Sequence, residues 1–559
     1  MLFYLLLSFS AAWWGSEENK KPKKETAAFA MPTVHVKGGR NVHYTGESIT
    51  AKYVYHTTHV TKEKNGDVTV EPVDVALRFR TLRKQTKCGI MMVGWGGNNG
   101  TTVTAGILAH KHGLTWRTKR GELQPNYFGS ITQSSVMNLG LTSDMKEVFV
   151  PLKDVVPMIN PTDLVIGGWD CSGLNLADAM RRAHVLDIAL QDALQKYMKE
   201  MRPLPALFDL DFVAANQEER ADNVLSVQHK WEAVKKLRSD IRTFKETHGL
   251  DKVIVVWTAS TERFSDHVEG IHDTPDNLLE AVKRNEKEIA PSALYAMAAI
   301  LEGCSYINGA PQNTLCPAII GLAGRQGVFV AGDDFKSGQT KIKSALVEFF
   351  VAAGIKPECI ASYNHLGNND GRNLAAPKQF RSKEITKSSV VDDMVASNEV
   401  LYPAGSKGPD HCIVIKYMPY VGDSKRAMDE YSFSIFMGGA QTVVLHNTCQ
   451  DSLLAAPLII DLVVLTELME RVFVKIESEE SNDNDEGLNS SYVHVDTVLS
   501  ILSYLLKAPC VPEGTPVVNA LNRQKQAIDN VLRALVGLPP ENNMLLECSL
   551  PFLRGRKPA

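Results

Sequence analysis

A buried strand, a glycine-rich turn and a helix follow one another between Cys88 and Gly113, and this order limits the fold more than any other stretch. The strand is the apolar run CGIMMV, the turn is GWGGNNG, and the helix is TTVTAGILAHKHG. Backbone amides at the start of such a helix can face a pyrophosphate, so the order predicts a dinucleotide-binding turn. The spacing departs from GxGxxG, because Asn99 stands where the third glycine belongs and Gly100 follows it. By itself the turn is a weak indication of a cofactor site.

The residues after this helix leave the choice of dinucleotide open. An acidic residue that binds the ribose hydroxyls of NAD is expected about 20 residues after the turn. Arg117, Lys119 and Arg120 occur there instead. Such cations are compatible with the 2′-phosphate of NADP.

Three further apolar runs each end in polar residues, at positions 164–170, 253–261 and 328–334. In a parallel sheet, ligands bind beyond the carboxyl ends of the strands, so each polar tail is placed where a cofactor would lie. The helical segment NLADAMRRAHVLDIALQDALQKYMKE separates two of the runs. Together these features predict an α/β fold with a doubly wound, Rossmann-like domain over about residues 85–340.

Other elements are predicted on both sides of this domain. Residues 34–80 alternate polar and apolar side chains around an Asn65-Gly66 turn, which is typical of antiparallel strands. A second domain is predicted over about residues 341–455, with a strand at 411–417. Beyond it, the run APLIIDLVVL is interrupted by Asp461 and is expected to be a buried helix. The acidic segment 477–487 predicts a solvated loop without chemistry.

Composition narrows the class of protein. With 559 residues, the chain is long enough for two or three domains. Its 60 Lys and Arg residues balance 64 Asp and Glu residues, which gives no electrostatic case for a nucleic-acid partner. The nine cysteines include no CxxC pair, which argues against a structural zinc site and indicates a reducing compartment. We therefore expect a cytoplasmic protein with no metal site and no nucleic-acid or membrane partner.

The first thirty residues allow three interpretations. Residues 2–14 are as apolar as a signal-peptide core, but no basic residues precede them and the run is too short to span a bilayer. A basic cluster follows at residues 20–24, and Met31 begins the string MPTVHV. The segment is upstream or alternative-start sequence, a membrane-surface anchor, or a true signal. We expect residues 1–31 to be a disordered extension.

Residues 362–387 concentrate polar chemistry. The loop in this stretch contains amides, a carboxylate and glycines, namely Asn364, Gly367, Asn368, Asn369, Asp370 and Gly371. These supply hydrogen bonds and backbone freedom where a ligand approaches. Lys383 and Lys387 would share one face of a helix; such a pair suits a phosphate, and mutual lowering of their pKa values suits proton transfer. A polar surface loop followed by an ordinary charged helix accounts for this stretch equally well.

Two further lysine-containing segments are ambiguous by themselves. The string KSGQTK at residues 336–341 combines hydroxyls, a glycine and cations as phosphate-holding loops do, but an N-capped helix start has the same composition. Lys416 ends an apolar run, a position more often taken by a lysine whose ammonium reaches solvent at a sheet edge.

Seven unusual strings occur in order, within a similarity from about residue 36 to residue 546: GWGGNNG, NGAPQNT, GDDFKSGQTK, SYNHLGNNDG, APKQFRSKE, HCIVIKY and HNTCQDSLLAAPLI. Together they resemble the signatures of the inositol-3-phosphate synthase family, also called myo-inositol-1-phosphate synthase, of the eukaryotic type.

The resemblance implies an NAD-dependent isomerase that converts D-glucose 6-phosphate to 1D-myo-inositol 3-phosphate, the first step of inositol and phospholipid biosynthesis. The implied steps are oxidation at carbon 5, enolisation at carbon 6, intramolecular aldol closure onto carbon 1, and reduction of the remaining ketone. It also implies a homotetramer. The expected domains are a Rossmann-like NAD domain at 85–340, an inserted α+β domain for catalysis and tetramerisation at 341–455, and a central domain of 32–84 plus 456–559.

The resemblance assigns roles to the site residues. Lys383 would donate to or polarise the carbon 5 oxygen, and Lys416 and Lys507 would stabilise the oxyanions of the enolate and aldol steps. Lys387 and Ser337 would help to hold the phosphate. Asp334 and Asp370 would orient the lysines. The implied cofactor-binding residues are Gly96, Gly97, Asn98, Asn99, Asp170, Gln217, Arg220, Thr258, Ala259, Ser260, Thr261, Gly309, Ala310, Asp334, Ser337, Asn368, Asn369, Asp370, Lys383, Gly422, Asp423, Asp451 and Ser452.

Four positions depart from the family pattern: Ser260 replaces Asn, Ala310 replaces Ser, Ala318 replaces Gly, and Gln450 replaces Glu. Ser260 and Ala310 would each remove a cofactor hydrogen bond that contributes about 0.5–1.5 kcal/mol. These departures keep one alternative open, a catalytically weakened paralogue that binds NAD or sugar phosphate. The basic residues at 117–120 keep a second one open, an NAD(P)-dependent sugar-phosphate dehydrogenase.

Overall fold

A computed structural model describes residues 34–37, 41–477 and 492–553. The predicted extension 1–31 and most of the predicted acidic loop 477–487 lie outside these residues. The strands are β1 Val42–Tyr44, β2 Ser48–Lys62, β3 Val68–Leu82, β4 Cys88–Val93, β5 Trp116–Thr118, β6 Gly121–Leu123, β7 Val136–Leu141, β8 Glu147–Pro151, β9 Val165–Asp170, β10 Leu204–Pro205, β11 Lys252–Trp257, β12 Ser305–Asn308, β13 Val330–Ala331, β14 Lys356–Leu366, β15 Asp410–Tyr417, β16 Ser424–Ile435, β17 Gly439–Gln450 and β18 Val472–Ile476.

The helices alternate with many of these strands. They are α1 Asn98–Lys111, α2 Ile131–Ser134, α3 Leu176–Ala183, α4 Ile188–Met198, α5 Lys230–His248, α6 Pro275–Lys283, α7 Pro291–Leu301, α8 Pro317–Gln326, α9 Gly338–Ala352, α10 Asn369–Asn373, α11 Pro377–Ser388, α12 Asp392–Ala396, α13 Asp451–Met469, α14 Leu521–Leu535 and α15 Leu546–Ser549. The helical stretch predicted before β10 is two helices, because His184 adopts a left-handed conformation, with φ 52°, at the end of α3.

Six parallel strands form the central sheet in the order β10-β9-β4-β11-β12-β13. Side chains of β4 alternate between two cores, with Ile90 and Met92 in one and Met91 and Val93 in the other. The first core contains residues of α1, α3, α4 and α13, and the second contains residues of α5 to α8. The sheet is therefore covered on both faces, which confirms the doubly wound arrangement.

The four predicted apolar runs contain β4, β9, β11 and β13. The predictions did not include β10 and β12, which are two and four residues long. Unlike β13, which is as short as β10 but lies within the longer apolar run 328–334, neither of them lies within a long apolar run that would distinguish it from a loop.

The first sheet has the order β1-β2-β3-β18. Strands β2 and β3 pair antiparallel from Ser48 opposite Leu82 to Lys62 opposite Val68, which confirms the hairpin predicted around Asn65-Gly66. Strand β18, far along the chain, pairs with β3. Strands from both sides of the doubly wound segment thus share one sheet.

The third sheet has the order β15-β14-β16-β17, and only the β14–β15 pair is parallel. Alternate residues of β16 from Ala427 to Phe433 are buried, and the residues between them are more exposed. Apolar residues of α9 pack with Tyr431 and Phe433 in a shared core.

Helix α13 is apolar over 19 residues, and by length and composition it is the helix among the described residues that could cross a membrane. However, 89% of its apolar window is buried within the fold. Asp461, in the middle of α13, accepts hydrogen bonds from Ser130 Oγ, Ile131 N and Thr132 N at the start of α2. The predicted buried helix is therefore confirmed, and its interrupting carboxylate caps another helix.

The described residues from 34 to 553 belong to one compact unit by their contacts. The predicted boundaries at 340 and 455 each fall inside a helix, α9 and α13 respectively. The division of this unit into three domains remains a prediction.

Candidate active site

A cleft lies beyond the carboxyl ends of β4, β9 and β11. Val93, Asp170 and Trp257, the last residues of these three strands, line it. Residues from α10, α11 and β16 line it as well, namely Asn369, Asp370, Lys383 and Lys425. The central sheet and the third sheet therefore contribute to one cavity, in the place where doubly wound proteins bind ligands.

The glycine-rich turn has the geometry of a dinucleotide cradle. Gly94 has φ +89°, and a Cβ there would lie 2.6 Å from Ala259 Cα, so only glycine fits. A Cβ at Gly100 would lie 2.3 Å from the Trp95 carbonyl oxygen. The third glycine is thus required at 100, where the helix packs on the turn, which explains the departure from GxGxxG. Helix α1 begins at Asn98 with no acidic residue in its first turn, so its free amides suit a pyrophosphate.

Asp170 supplies the acidic residue that the sequence appeared to lack. It ends β9, the strand beside β4, and the insertion β5 to β8 separates it from α1. Asp170 is 3% exposed and accepts a hydrogen bond from Ser172 N at 2.8 Å, and Arg220 lies 3.8 Å away. In this fold an acidic residue at the end of the second strand binds ribose hydroxyls, which favours NAD over NADP.

The basic residues after α1 do not form a phosphate site in the cleft. Arg117, Lys119 and Arg120 are exposed on the β5–β6 hairpin and do not line the cleft. These three residues therefore no longer indicate NADP.

Amides and hydroxyls form the wall between the dinucleotide turn and α10. Asn369 Nδ2 donates to Gln217 Oε1 at 2.8 Å and to Ser260 Oγ at 3.1 Å. Thr261 Oγ1 donates to Asp370 Oδ1 at 3.2 Å. Ser260, one of the departures from the family pattern, thus contacts the polar loop predicted as a site.

Asp334 joins two lysines at the floor of the cleft. Its Oδ1 accepts from Lys383 Nζ at 2.8 Å, and its Oδ2 accepts from Lys507 Nζ at 3.2 Å and from Thr386 Oγ1 at 3.1 Å. Asp334 is 2% exposed, and its backbone is left-handed with φ 62°. Lys425 lies nearby and pairs with Asp451 at 3.6 Å. Three cations and two carboxylates thus line one cavity.

These contacts separate the protonation states of the lysines. Burial alone would lower the pKa of Lys383, but the carboxylates of Asp334 and Asp370 outweigh it and raise that pKa above its usual range. Burial lowers the pKa of Lys507 to about 7, although Asp334 opposes the shift. The sequence suggested that Lys383 loses its proton near neutral pH, and the structure contradicts this. Of the two lysines that contact Asp334, Lys507 is the one whose pKa is lowered to about 7.

Lys387 lies behind the cleft wall, one helical turn after Lys383. It is 2% exposed and donates to Gln339 Oε1 at 2.9 Å and to Asn364 Oδ1 at 3.2 Å. Burial, reinforced by Lys425 and Lys507, lowers the pKa of Lys387 well below its usual range. Helix α11 confirms the shared face predicted for the two lysines.

The assignment of Lys416 to the site is not supported. Side chains alternate along a strand, and Ile415 lines the cleft, so the next residue of β15 points away and is exposed. Lys425 at the start of β16 takes that place and was missed. The polar turn GDSK that contains it was the available signal.

Three predicted cofactor residues support the wall rather than line it. Asp423 accepts hydrogen bonds from Asn368 Nδ2 at 3.1 Å and from Ser452 Oγ at 2.7 Å. The Gly422 carbonyl accepts from the Gly367 amide at 2.9 Å. A Cβ at Gly96 would lie 3.2 Å from Asp170 Cγ, so this glycine permits close approach of the two segments. The other predicted residues that line the cleft are Gly97, Asn98, Asn99, Gln217, Arg220, Thr258, Ala259, Ser260, Thr261, Gly309, Ala310, Ser337, Asn368, Asn369, Asp370, Asp451 and Ser452.

The fold and the site define an α/β enzyme that binds a dinucleotide beside a cluster of lysines and carboxylates. An NAD-binding family model, described as myo-inositol-1-phosphate synthase, matches residues 88–533. The chain belongs to the myo-inositol-1-phosphate synthase family, and its cofactor is NAD.

Individual relatives agree with this assignment. The chain is 72% identical to an inositol-3-phosphate synthase of Trypanosoma brucei brucei over 94% of its own length and 99% of the relative. It is 55% identical to an inositol-3-phosphate synthase of Dictyostelium discoideum over 91% and 97% of the two chains. A crystal structure of inositol-3-phosphate synthase from Caenorhabditis elegans superposes with a TM-score of 0.88 at 50% identity, covering 95% and 99% of the two chains.

Proposed function

We propose that the chain converts D-glucose 6-phosphate to 1D-myo-inositol 3-phosphate. One observation carries the proposal: the dinucleotide turn and the lysines held by Asp334 open into the same cleft. The relative that is 72% identical bears the name inositol-3-phosphate synthase. Such a reaction needs a redox cofactor and proton-transfer groups around one sugar, which this cleft combines.

NAD, when bound, supplies reversible hydride transfer at carbon 5. The protein then has to manage protons. One leaves the carbon 5 hydroxyl on oxidation and one leaves carbon 6 on enolisation; one returns to the carbon 1 oxygen after ring closure and one to the carbon 5 oxygen on reduction. Lys507, with a pKa of about 7, is suited to accept and return protons at neutral pH. Lys383 stays protonated and is suited to hold the carbon 5 oxygen by a hydrogen bond.

The phosphate of the sugar would bind at the start of α9. This helix has 15 residues, begins after Ser337, and has no acidic residue in its first turn. Helix N-termini bind anions through free amides and the helix dipole. Lys425, which lines the same cleft, adds a cation. The sugar would thus lie between this anion site and the pair formed by Lys383 and Lys507.

The test is an assay of the purified chain with glucose 6-phosphate and NAD. Inositol phosphate should form without accumulation of NADH, because hydride is returned to the same molecule. Steady NADH production would instead indicate a net dehydrogenase. Binding of NAD and glucose 6-phosphate without turnover, measured by calorimetry, would indicate a weakened paralogue.

We also propose that the chain acts as a homotetramer. The outer face of the third sheet supports an assembly, because Tyr363, Met428 and Val444 are exposed there by 46%, 41% and 67%. Tyr363 lies directly opposite Met428, so these side chains form part of one patch. Exposed apolar patches are typical of subunit contacts. Light scattering on the purified chain measures the subunit number, and a monomer at micromolar concentration would contradict the proposal.

A cytoplasmic location is the final part of the proposal. The cysteines at 88, 171, 304, 316, 359, 412, 449 and 510 are free thiols, which is usual where thiols stay reduced. Fractionation of cells that express the chain, with a mass measurement of its native amino terminus, tests the location. Recovery in a membrane or secretory fraction would contradict it.

A further inference from the structure

The amine of Lys387 is held by two amide side chains. Gln339 Oε1 on α9 and Asn364 Oδ1 on β14 accept its hydrogen bonds, at 2.9 and 3.2 Å. All three residues are 3% exposed or less. The position of this amine therefore depends on how the two amides are themselves oriented.

Asp429 determines the orientation of Gln339. Its carboxylate, 1% exposed on the inner face of β16, accepts from Gln339 Nε2 at 2.5 Å. A carboxylate only accepts hydrogen bonds, so the NH₂ end of the glutamine must face it, and the oxygen must face Lys387. Asn364 is fixed similarly, because its NH₂ end donates to the Val414 carbonyl at 3.2 Å.

Asp429 also lies at the back of a strongly cationic region. The charged groups that act on Lys387 are Lys425 on β16, Lys343 on α9, Lys383 on α11, Lys507 and Asp451. Lys343, itself 2% exposed, is attracted by Asp429 and donates to the neutral His411 ring at 2.8 Å. Asp429 thus adds a buried carboxylate beside Gln339 and Lys343, in addition to Asp334 and Asp451.

We propose that Asp429 is a positioning residue for the reaction: through Gln339 it aims the amine of Lys387, and it compensates the lysines behind the cleft. The inference rests on the proposed function. A neutral amine has two N–H groups and one lone pair. Because both amide oxygens take the N–H groups, the lone pair is left in one defined direction. The amine can accept a proton in that direction, and the protonated amine can give it back.

Replacement by asparagine separates this role from packing. Asn has nearly the shape of Asp but can donate as well as accept, so in Asp429→Asn the Gln339 amide is free to turn over. Its NH₂ end would then face Lys387 and take the lone pair of the amine. Loss of the carboxylate also makes protonation of Lys387 harder.

The experiment measures kcat, KM and their pH profiles for Asp429→Asn and for a matched control, Tyr431→Phe. The Tyr431 hydroxyl, equally buried on the same strand, donates only a long bond of 3.3 Å to Asp429 Oδ2. Asp429→Asn should lower kcat by about 10- to 100-fold, as expected for losing an oriented bond to a charged group, and move the acid limb of the profile to lower pH. Tyr431→Phe should change neither.

Thermal melting and NAD titration of both variants show whether they are folded. The inference is overturned if Asp429→Asn keeps the wild-type kcat and pH profile. It is also overturned if activity falls in both variants in proportion to their loss of thermal stability with an unchanged profile. Wild-type chain that makes no inositol phosphate would instead refute the proposed function, so the two failures are distinguishable.

Discussion

Two adjacent aspartates, Asp334 in the cleft and Asp333 before it in the chain, are expected to respond in opposite ways to the same substitution. Burial alone would raise the pKa of Asp334, but Lys383 and Lys507 outweigh it and hold that pKa below its usual range. Burial raises the pKa of Asp333 well above its usual range. The first is therefore ionised at pH 7, whereas burial favours the neutral form of the second. Asp334→Asn removes a charge, whereas Asp333→Asn replaces a carboxyl group whose neutral form is favoured with a group of similar shape.

The magnitude follows from the contacts. Two charge-assisted bonds, at 2.8 and 3.2 Å, reach the Asp334 carboxylate, and bonds to charged groups contribute about 1.5–3 kcal/mol each. An asparagine oxygen keeps part of one, so we expect a loss of about 3–4 kcal/mol, or about 10²–10³-fold in kcat/KM. In Asp333→Asn the side-chain oxygen still accepts from Asn308 Nδ2, at 2.6 Å in the wild type, so the change should stay within about threefold, below 1 kcal/mol.

The assay follows inositol phosphate formed from glucose 6-phosphate and NAD, with thermal melting to verify the fold of each variant. Equal loss of activity in the two variants would refute the reasoning, because it would mean that the two carboxyl groups share one charge state. Retention of activity in Asp334→Asn would show that the lysines do not need their carboxylate partner.

Three further predictions concern other lysines and the cofactor wall. Lys425→Met should reduce kcat/KM by at least about 10²-fold, because it removes a cation from the cleft. Lys416→Met changes an exposed residue and should not reduce it in this way. A larger loss of kcat/KM in Lys416→Met than in Lys425→Met would contradict the structure. Burial lowers the pKa of Lys336 from its usual value near 10.5 to about 7. Between these two pH values the unfolded chain binds more protons at this lysine than the folded chain does. Lys336 therefore makes the free energy of unfolding rise with pH in this range. Lys336→Met should flatten the resulting rise of melting temperature with pH. An unchanged slope of melting temperature against pH would contradict this role of Lys336. Ser260→Asn should tighten NAD binding by about 2- to 10-fold in a fluorescence titration, and an unchanged Kd would show that Ser260 costs the site nothing.

Several site residues were predictable because local sequence determines them. Gly94 has a left-handed φ of +89°, and a Cβ at Gly100 would meet the Trp95 carbonyl of the same turn. Lys383 and Lys387 share a face because they are four apart in a helix. Such relations need only the chain near each residue.

Other assignments depended on distant parts of the chain. Asp170 is separated from α1 by an insertion that contains β5 to β8, so no sequence interval pointed to it as the ribose ligand. The choice between Lys416 and Lys425 turns on which face of the third sheet meets the cleft. The sequence shows that side chains alternate between the two faces of a strand, but not which face meets the cleft.

By itself the sequence determined the doubly wound class, the position of the dinucleotide turn, the antiparallel hairpin and the buried helix, because hydrophobic period and turn residues act over short range. Only the tertiary structure decided the charge states. Asp334 brings Lys383 and Lys507 together across 124 residues of chain, and electrostatic energies depend on distance and burial, not on sequence separation. The two lysines therefore look alike in the sequence, but burial lowers the pKa of Lys507 to about 7, whereas nearby carboxylates outweigh burial and raise the pKa of Lys383.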